Sequence, residues 1–317
     1  LTQDDDRRVL ENAALAIDGG RIVALGYSRD VTAAWQAREI LDLSGMLVMP
    51  GLVNAHTHAA MTFLRGLADD MPLMDWLQQK IFPVEQGLTP DLVRLGSLLG
   101  FAEMLRTGTT ACVDMYIFEA AVMEAADKAG LRCLAGEGVF NFPSACCPDA
   151  DAALARTREM AQRWAGHERL QVAVMPHSVY TTTAAQLTAC RELADELGLP
   201  LHIHLAETRQ ETALSLEQHG LRPVAHADRL GLLRPGTILA HVVDVDADEI
   251  ALLARRGVSV VHNPSSNMKL ASGVARVPEM LALGVPVGLA VDGSASNDGS
   301  SLMEELRVCY LLHRLTY

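Results

Sequence analysis

Eight short apolar runs, separated by stretches of helical pattern, constrain the fold more than any other feature of this chain. They are 51–56 (GLVNAH), 110–115 (TACVDM), 132–139 (RCLAGEGV), 170–177 (LQVAVMPH), 199–205 (LPLHIHL), 237–243 (TILAHVV), 258–263 (VSVVHN) and 285–292 (VPVGLAVD). Most are apolar throughout rather than alternating, as expected of parallel strands covered on both faces. Helical patterns fall near 90–107, 119–129, 150–165, 184–197, 246–256 and 274–283. The first of these is well bounded: Thr89 suits an N-cap, Pro90 the first helical position and Gly108 the residue just past the end. Strand and helix alternating in this way predict an α/β fold, and a closed (β/α)₈ TIM-type barrel over 51–317 fits better than an open sheet.

Residues 1–50 read differently. In AALAIDGGRIVALG, two apolar runs flank Asp18-Gly19-Gly20, a hairpin signal, and REILDLSGMLVMPG turns again at Ser44-Gly45. This predicts a small N-terminal β layer, part of a β-sandwich. The chain opens without Met in a run that reads as a strand, so residues are expected to precede Leu1.

Composition narrows the function classes. A formal net charge of −13 with no basic tract argues against nucleic acid or an anionic membrane as partner. The longest apolar runs, near 237–243 and 282–291, are too short to span a bilayer, and no basic leader precedes an apolar segment. The cysteines, Cys112, Cys133, Cys146, Cys147, Cys190 and Cys309, form no CxxC pair and read as reduced, mostly buried thiols of a cytoplasmic protein.

In a barrel the chemistry sits at the C-terminal ends of the strands. Here those ends carry His56-Thr57-His58, His177, His204 with Glu207 three residues on, His241, His262-Asn263-Pro264 and Asp292. His56 and His58 are two apart, so on an extended backbone their rings share a side. Imidazoles and a carboxylate from several strands suit Zn²⁺ in an open catalytic site. A lone HxH is weak evidence, because two surface histidines are commoner than a metal site; the joint pattern is much stronger. His202 and His204 share a face; His204 lies nearer the strand end and is the better ligand, and His202 reads as a hydrogen-bonded core histidine. His167, His219, His226 and His313 read as surface residues. Hydrolases of this type with two metals bridge them by a modified lysine on strand 4, yet the only lysines are Lys80, Lys128 and Lys269, so a single ion is expected.

The segments PGLVNAHTHAAMTFLRGLADDMPLMDWL, PHSVYT, HIHLAET, HNPSSNMKL and VDGSASND resemble the amidohydrolase superfamily, and within it the methylthioadenosine/S-adenosylhomocysteine deaminases, in order and along essentially the whole chain. The resemblance implies hydrolytic deamination of an adenine nucleoside, using one Zn²⁺ (or Fe²⁺ or another divalent ion) held by His56, His58, His204 and Asp292. Zinc lowers the pKa of its bound water to about 7, which supplies a hydroxide nucleophile. Asp292 would take the water proton, Glu207 would protonate the purine N1 and His241 would orient the attacking oxygen. Read alone, Glu207 could equally be a solvated loop carboxylate and Asp292 a turn residue.

The resemblance also places Trp76 on the sugar and the 5′ substituent, Glu85 on the ribose hydroxyls and His177 on the base. It implies a homo-oligomer, and a further helix and strands beyond the eighth strand, completing the β-sandwich, before which this chain ends. Relatives that accept homocysteine carry arginines after strand 3. Gly136-Glu137-Gly138-Val139-Phe140-Asn141-Phe142 has none, so a substrate without a 5′ carboxylate is expected. The alternatives are a guanine deaminase or triazine-type hydrolase, for which Glu85 would have no ribose to hold, and a catalytically silent binding relative, which would usually have lost ligands. A cytidine-deaminase-type site is excluded, for the chain has neither H-x-E nor P-C-x-x-C.

Overall fold

A computed structural model describes all residues, Leu1–Tyr317, and divides them into two compact units, Leu1–Gly51 and Leu52–Tyr317. In the first, strands β1 (Ala13–Asp18) and β2 (Arg21–Tyr27) form an antiparallel hairpin. Its turn is Gly19-Gly20, with φ of 55° and 75°. A two-residue hairpin loop of this hand needs positive φ at both positions, which glycine adopts without strain. A short helix, Ser28–Ala34, follows.

Two sequence expectations fail in this unit. Leu1–Leu10 form a turn and irregular chain rather than a strand, and no strand forms over 39–49. The turn at Ser44 does exist: Asp42 Oδ1 accepts from Ser44 N at 2.9 Å and from its hydroxyl at 2.6 Å. The flanking apolar runs remain extended without a neighbouring strand to take their backbone groups, and Ile40 and Met46 stand 81% and 70% exposed.

The second unit is mixed α/β with parallel strands throughout. One sheet is ordered β12-β3-β4-β5-β6, from Asp292–Gly293, Leu52–His58, Thr109–Tyr116, Arg132–Val139 and Leu170–Val172, with β7 (Met175–Pro176) also pairing β5. The other is ordered β11-β10-β9-β8, from Val287–Leu289, Ser259–His262, Thr237–His241 and Leu201–Leu205. Each of the eight apolar runs therefore forms strand. Two are broken: 170–177 divides around Ala173-Val174, and 285–292 divides around Ala290-Val291. At the first break, isolated bridges Val174–Leu201 and Ser178–His204 reach β8. At the second, one segment pairs β10 through β11 and β3 through β12.

All six expected helices form, the first as Pro90–Arg106 with the Thr89 hydroxyl accepting from Leu92 N at 3.3 Å. Helices Arg209–His219 and Leu302–Thr316 escaped the sequence reading. In the first, apolar residues are sparse and the buried face is Glu211, Thr212 and Ser215, so no amphipathic stripe announces it. Between β3 and Pro90, a helical segment runs from Leu73 to Glu85 and contains a π turn at Leu77–Ile81. Pro83 has no N–H to give the preceding turn and its ring crowds the carbonyl four residues back, which the wider π turn accommodates.

The main core lies between the strands and the surrounding helices, with Phe101, Met104, Leu187, Ile203 and Leu205 fully enclosed. A smaller cluster of Val113, Met115, Ala173 and Met175 fills the space between β4 and the break in the fourth run. That packing depends on Gly136. A Cβ there would lie 2.1 Å from the Ala173 carbonyl oxygen and 2.9 Å from Met175 Cγ. Gly136→Ala should destabilise the fold by about 1–3 kcal/mol, the usual cost of overpacking. A lowered midpoint in chemical denaturation checks this, and an unchanged midpoint would contradict it.

Candidate metal centre and active site

β3 ends in His56 and His58, β8 carries His202 and His204, β9 ends at His241 and β12 begins at Asp292. Parallel strands deliver all of these at one end, and the inward side chains meet. Asp292 Oδ1 lies 3.2 Å from both His56 Nε2 and His58 Nε2. His204 Nε2 lies 3.1 Å from His56 Nε2. The ligand atoms of His56, His58 and His204 fall within 4.8 Å of one another, as do those of His56, His241 and Asp292.

The remaining atoms of these groups are already committed. His58 Nδ1 meets the Met115 carbonyl, His204 Nδ1 donates to the His177 carbonyl at 2.7 Å, and His56 Nδ1 donates to His202 Nε2 at 2.7 Å. His202 in turn donates from Nδ1 to the Ile238 carbonyl at 3.1 Å. These bonds put a proton on each Nδ1 and turn each Nε2 inward. Ser266 and Ser296 donate to Asp292 Oδ2 at 2.5 and 3.0 Å, whereas the buried Oδ1 has no hydrogen-bond partner. Burial lowers the His56 pKa to about 4 and holds His204 and His202 well below the usual histidine value, keeping these rings neutral. Burial works against charge on Asp292 too, but His56 and His58 hold it well below the usual carboxylate range. Burial works against charge on His58 as well, but Asp292 raises its pKa to about 9. Three imidazole nitrogens and a carboxylate oxygen thus converge, a donor set that fits a divalent ion of zinc type, whose binding would displace the His58 proton.

Around this centre lies a cavity of about 630 Å³, counting its open mouth. Glu207 and His241 line it, with His241 Nε2 3.7 Å from Glu207 Oε2. Asn267 Oδ1 accepts from His241 Nδ1 at 2.9 Å and so fixes the ring, while burial raises the Glu207 pKa and the Ser272 hydroxyl holds it down from 3.3 Å. His241 and Asp292 have φ of 73° and 62°. Left-handed backbone at non-glycine residues is costly and clusters where a side chain must be aimed.

Trp76, Glu85 and His177 line the same cavity, whereas His262, at the end of β10, lies outside it. Burial pushes Glu85 up to about 7, against the Tyr116 hydroxyl, which favours its charged form. His177 bonds Thr181 Oγ1 at 2.8 Å and lies 4.8 Å from the Phe140 ring.

Sequence reasoning missed Tyr116, Phe82, Phe140 and Ser296 on the cavity wall, since nothing local distinguishes a lining aromatic from a core one. Glu137, in the segment after strand 3 that carries no arginine, does not face the cavity. Instead Glu137 is buried and accepts from Phe118 N at 2.9 Å and Glu119 N at 3.1 Å, capping helix Glu119–Ala129. His226, read as a surface residue, is buried and stacks on His219 at 3.9 Å.

Parallel strands with such a cluster at their C-terminal ends define a metal-dependent hydrolase of the α/β class. Residues 47–317 match the amidohydrolase family, and the chain belongs to it. The chain is 61% identical, over 100% of its length and 72% of the relative's, to a 5-methylthioadenosine/S-adenosylhomocysteine deaminase of Desulfovibrio desulfuricans. It is 56% identical to one from Lawsonia intracellularis, over 99% of this chain and 71% of that one. Among solved structures, a zinc-bound adenosine deaminase from Xanthomonas campestris superposes with a TM-score of 0.95 at 40% identity, covering 98% of this chain and 71% of that one. An atrazine chlorohydrolase from Arthrobacter aurescens, complexed with zinc, gives 0.92 at 26% identity, with 99% and 75% covered.

Removing the ion leaves these donors without their common partner. Chelation should therefore lower the melting temperature, and re-added zinc should restore it. A ligand at a hundredfold excess over its Kd contributes about 2.7 kcal/mol. Differential scanning fluorimetry with and without chelator reads the shift, and no shift would contradict the site.

Proposed function

We propose that this chain is a zinc-dependent aminohydrolase that converts an adenine nucleoside to its inosine analogue and ammonia. The observation that carries this reading is one cavity holding the ion-binding cluster, the Glu207–His241 pair and Glu85. His56, His58, His204 and Asp292 would hold the ion, which when bound supplies a water acidified toward neutrality.

Asp292 keeps Oδ2 occupied by two serine hydroxyls, leaving Oδ1 to face the ion; the carboxylate would take up the proton of the attacking water and pass it to the departing amine, which leaves as ammonia. Glu207, whose pKa burial raises, would place a proton on the purine N1, so that negative charge does not accumulate on the ring as C6 is attacked. His241, held by Asn267, orients the incoming oxygen. His177 and Phe140 present a flat wall to the base, and Glu85 accepts the ribose hydroxyls. Trp76, only 5% exposed, closes the sugar side together with Leu73. A free base or triazine has no ribose, so Glu85 favours a nucleoside over the substrates of guanine deaminases and triazine hydrolases.

The same reading makes the two parallel sheets halves of one closed eight-stranded barrel. It is supported by the bridges Val174–Leu201 and Ser178–His204, and by the segment whose strands β11 and β12 pair on opposite sides. Residues 1–50 would be part of a small β-sandwich. No helix is long and apolar enough to cross a membrane. The six free cysteines support a reducing, cytoplasmic setting.

Glu207→Gln should keep the ion and lose about 10²–10⁴-fold in turnover, the usual contribution of a proton-transfer group. Metal analysis beside an ammonia-release assay tests this; loss of the ion, or near-normal turnover, would remove Glu207 from that role.

No lysine or arginine lines the cavity, and Arg65 is engaged by Glu103 at 2.7 Å. S-adenosylhomocysteine carries a carboxylate that needs a cation or hydrogen-bond donors when buried. Methylthioadenosine ends in a thioether that suits the apolar wall. A missing charged contact of about 2–3 kcal/mol would lower kcat/KM for S-adenosylhomocysteine roughly 30–150-fold below methylthioadenosine and adenosine. Equal efficiencies in a side-by-side comparison would overturn this order.

A further inference from the structure

A second group of metal-ligating side chains lies outside the cavity. His262 ends β10, and Cys309 and His313 stand four residues apart on helix Leu302–Thr316, so they share a face of that helix. One ligand atom from each of the three falls within 4.8 Å of the others. The His262 and His313 rings are 5.3 Å apart, centroid to centroid. The sequence reading left His313 at the surface, but both its ring nitrogens are buried without a hydrogen-bond partner, and so are both nitrogens of His262.

Four orphaned nitrogens on two adjacent imidazoles demand an explanation. Each unsatisfied buried polar group costs about 1–3 kcal/mol, and an ion or ordered water is the usual remedy. Ser265 and Asn297 both donate to Glu305 Oε1, at 2.6 and 2.9 Å.

We propose that His262, Cys309 and His313 form a second metal site, which takes a borderline or soft transition ion such as Zn²⁺ or Co²⁺. Two imidazoles and a thiolate are the donor set such ions select, and one that magnesium and calcium refuse. Tetrahedral zinc with bonds of about 2.0–2.3 Å would set the ligand atoms roughly 3.4–3.6 Å apart. Closing from the present spacing needs about 1 Å of side-chain rotation, which the half-buried Cys309 and His313 can supply. Burial lowers the His262 pKa to about 3, so this ring is neutral and ready to ligate, and burial raises that of the Cys309 thiol. Binding therefore forms the metal–sulfur bond as the thiol proton leaves to solvent, and affinity rises with pH. The fourth position is open to water. An ion here would tie the C-terminal helix to the end of β10, beside Asn263, whose Nδ2 lies 3.2 Å from His241 Nδ1.

The test uses the holoenzyme with its catalytic ion in place, titrated with Co²⁺. The catalytic cluster has only nitrogen and oxygen donors, so a thiolate-to-cobalt charge-transfer band in the near ultraviolet can come only from Cys309 among these ligands. The expected result is one further equivalent of Co²⁺ bound with that band. Cys309→Ala should abolish the band, and His313→Ala should weaken binding of the further equivalent at least tenfold. Neither change should reduce the catalytic ion measured before titration. Binding of no further equivalent, or a further equivalent without the band, would overturn the proposal. So would a band that persists in folded Cys309→Ala protein, judged by circular dichroism. If water alone joins the two imidazoles, the stoichiometry stays at one.

Discussion

The centre of this molecule depends on where three imidazoles put their protons. His58 and His204 spend Nδ1 on carbonyls of neighbouring strands, and His56 spends it on His202, which is anchored in turn on Ile238. Each bond selects one tautomer and one ring orientation, and together they aim three Nε2 atoms at the space beside Asp292 Oδ1. The backbone carbonyls are strand groups, so the ladders that hold the fold also set the ligand geometry. An ion that binds here gathers strands β3, β8 and β12 at one point.

Burial supplies the chemistry as well as the geometry. Taking His56 and His204 out of water keeps them neutral, which is the ligand form, and taking Glu207 out of water raises its pKa, the direction a proton donor requires. Asp292 is buried too, yet the adjacent imidazoles keep it ionised. Burial raises the pKa of both carboxylates, and the imidazoles beside Asp292 reverse its shift, so their roles follow from their neighbours. The left-handed backbone at His241 and Asp292 belongs to the same arrangement, since both turn sharply at a strand end to present a side chain inward.

The interior apolar runs and the strand-end histidines were legible because each rests on local pattern. A strand covered on both faces has to be apolar along its length, and a ligand has to stand where the strand ends. The capped helix at Pro90–Arg106 was legible for the same reason: Thr89, Pro90 and Gly108 each answer a requirement of a helix terminus. The breaks in the fourth and eighth runs were not legible. Ala173-Val174 and Ala290-Val291 are as strand-prone as their neighbours, and each break falls where the segment changes its strand partner.

By itself the sequence determined that parallel strands would alternate with helices and that His56, His58, His204 and Asp292 would lie at strand ends, because side-chain periodicity and burial demands are written residue by residue. Tertiary structure alone decided which partners those residues meet. Glu137 caps a helix, because Phe118 N and Glu119 N, nearly twenty residues earlier in the chain, arrive beside it. His202, read as a core histidine, proved to be the support of His56. His313 looked like a surface residue of no consequence and instead faces His262, from a strand some fifty residues earlier. Long-range contacts of this kind depend on how elements pack, and no local pattern in the chain encodes them.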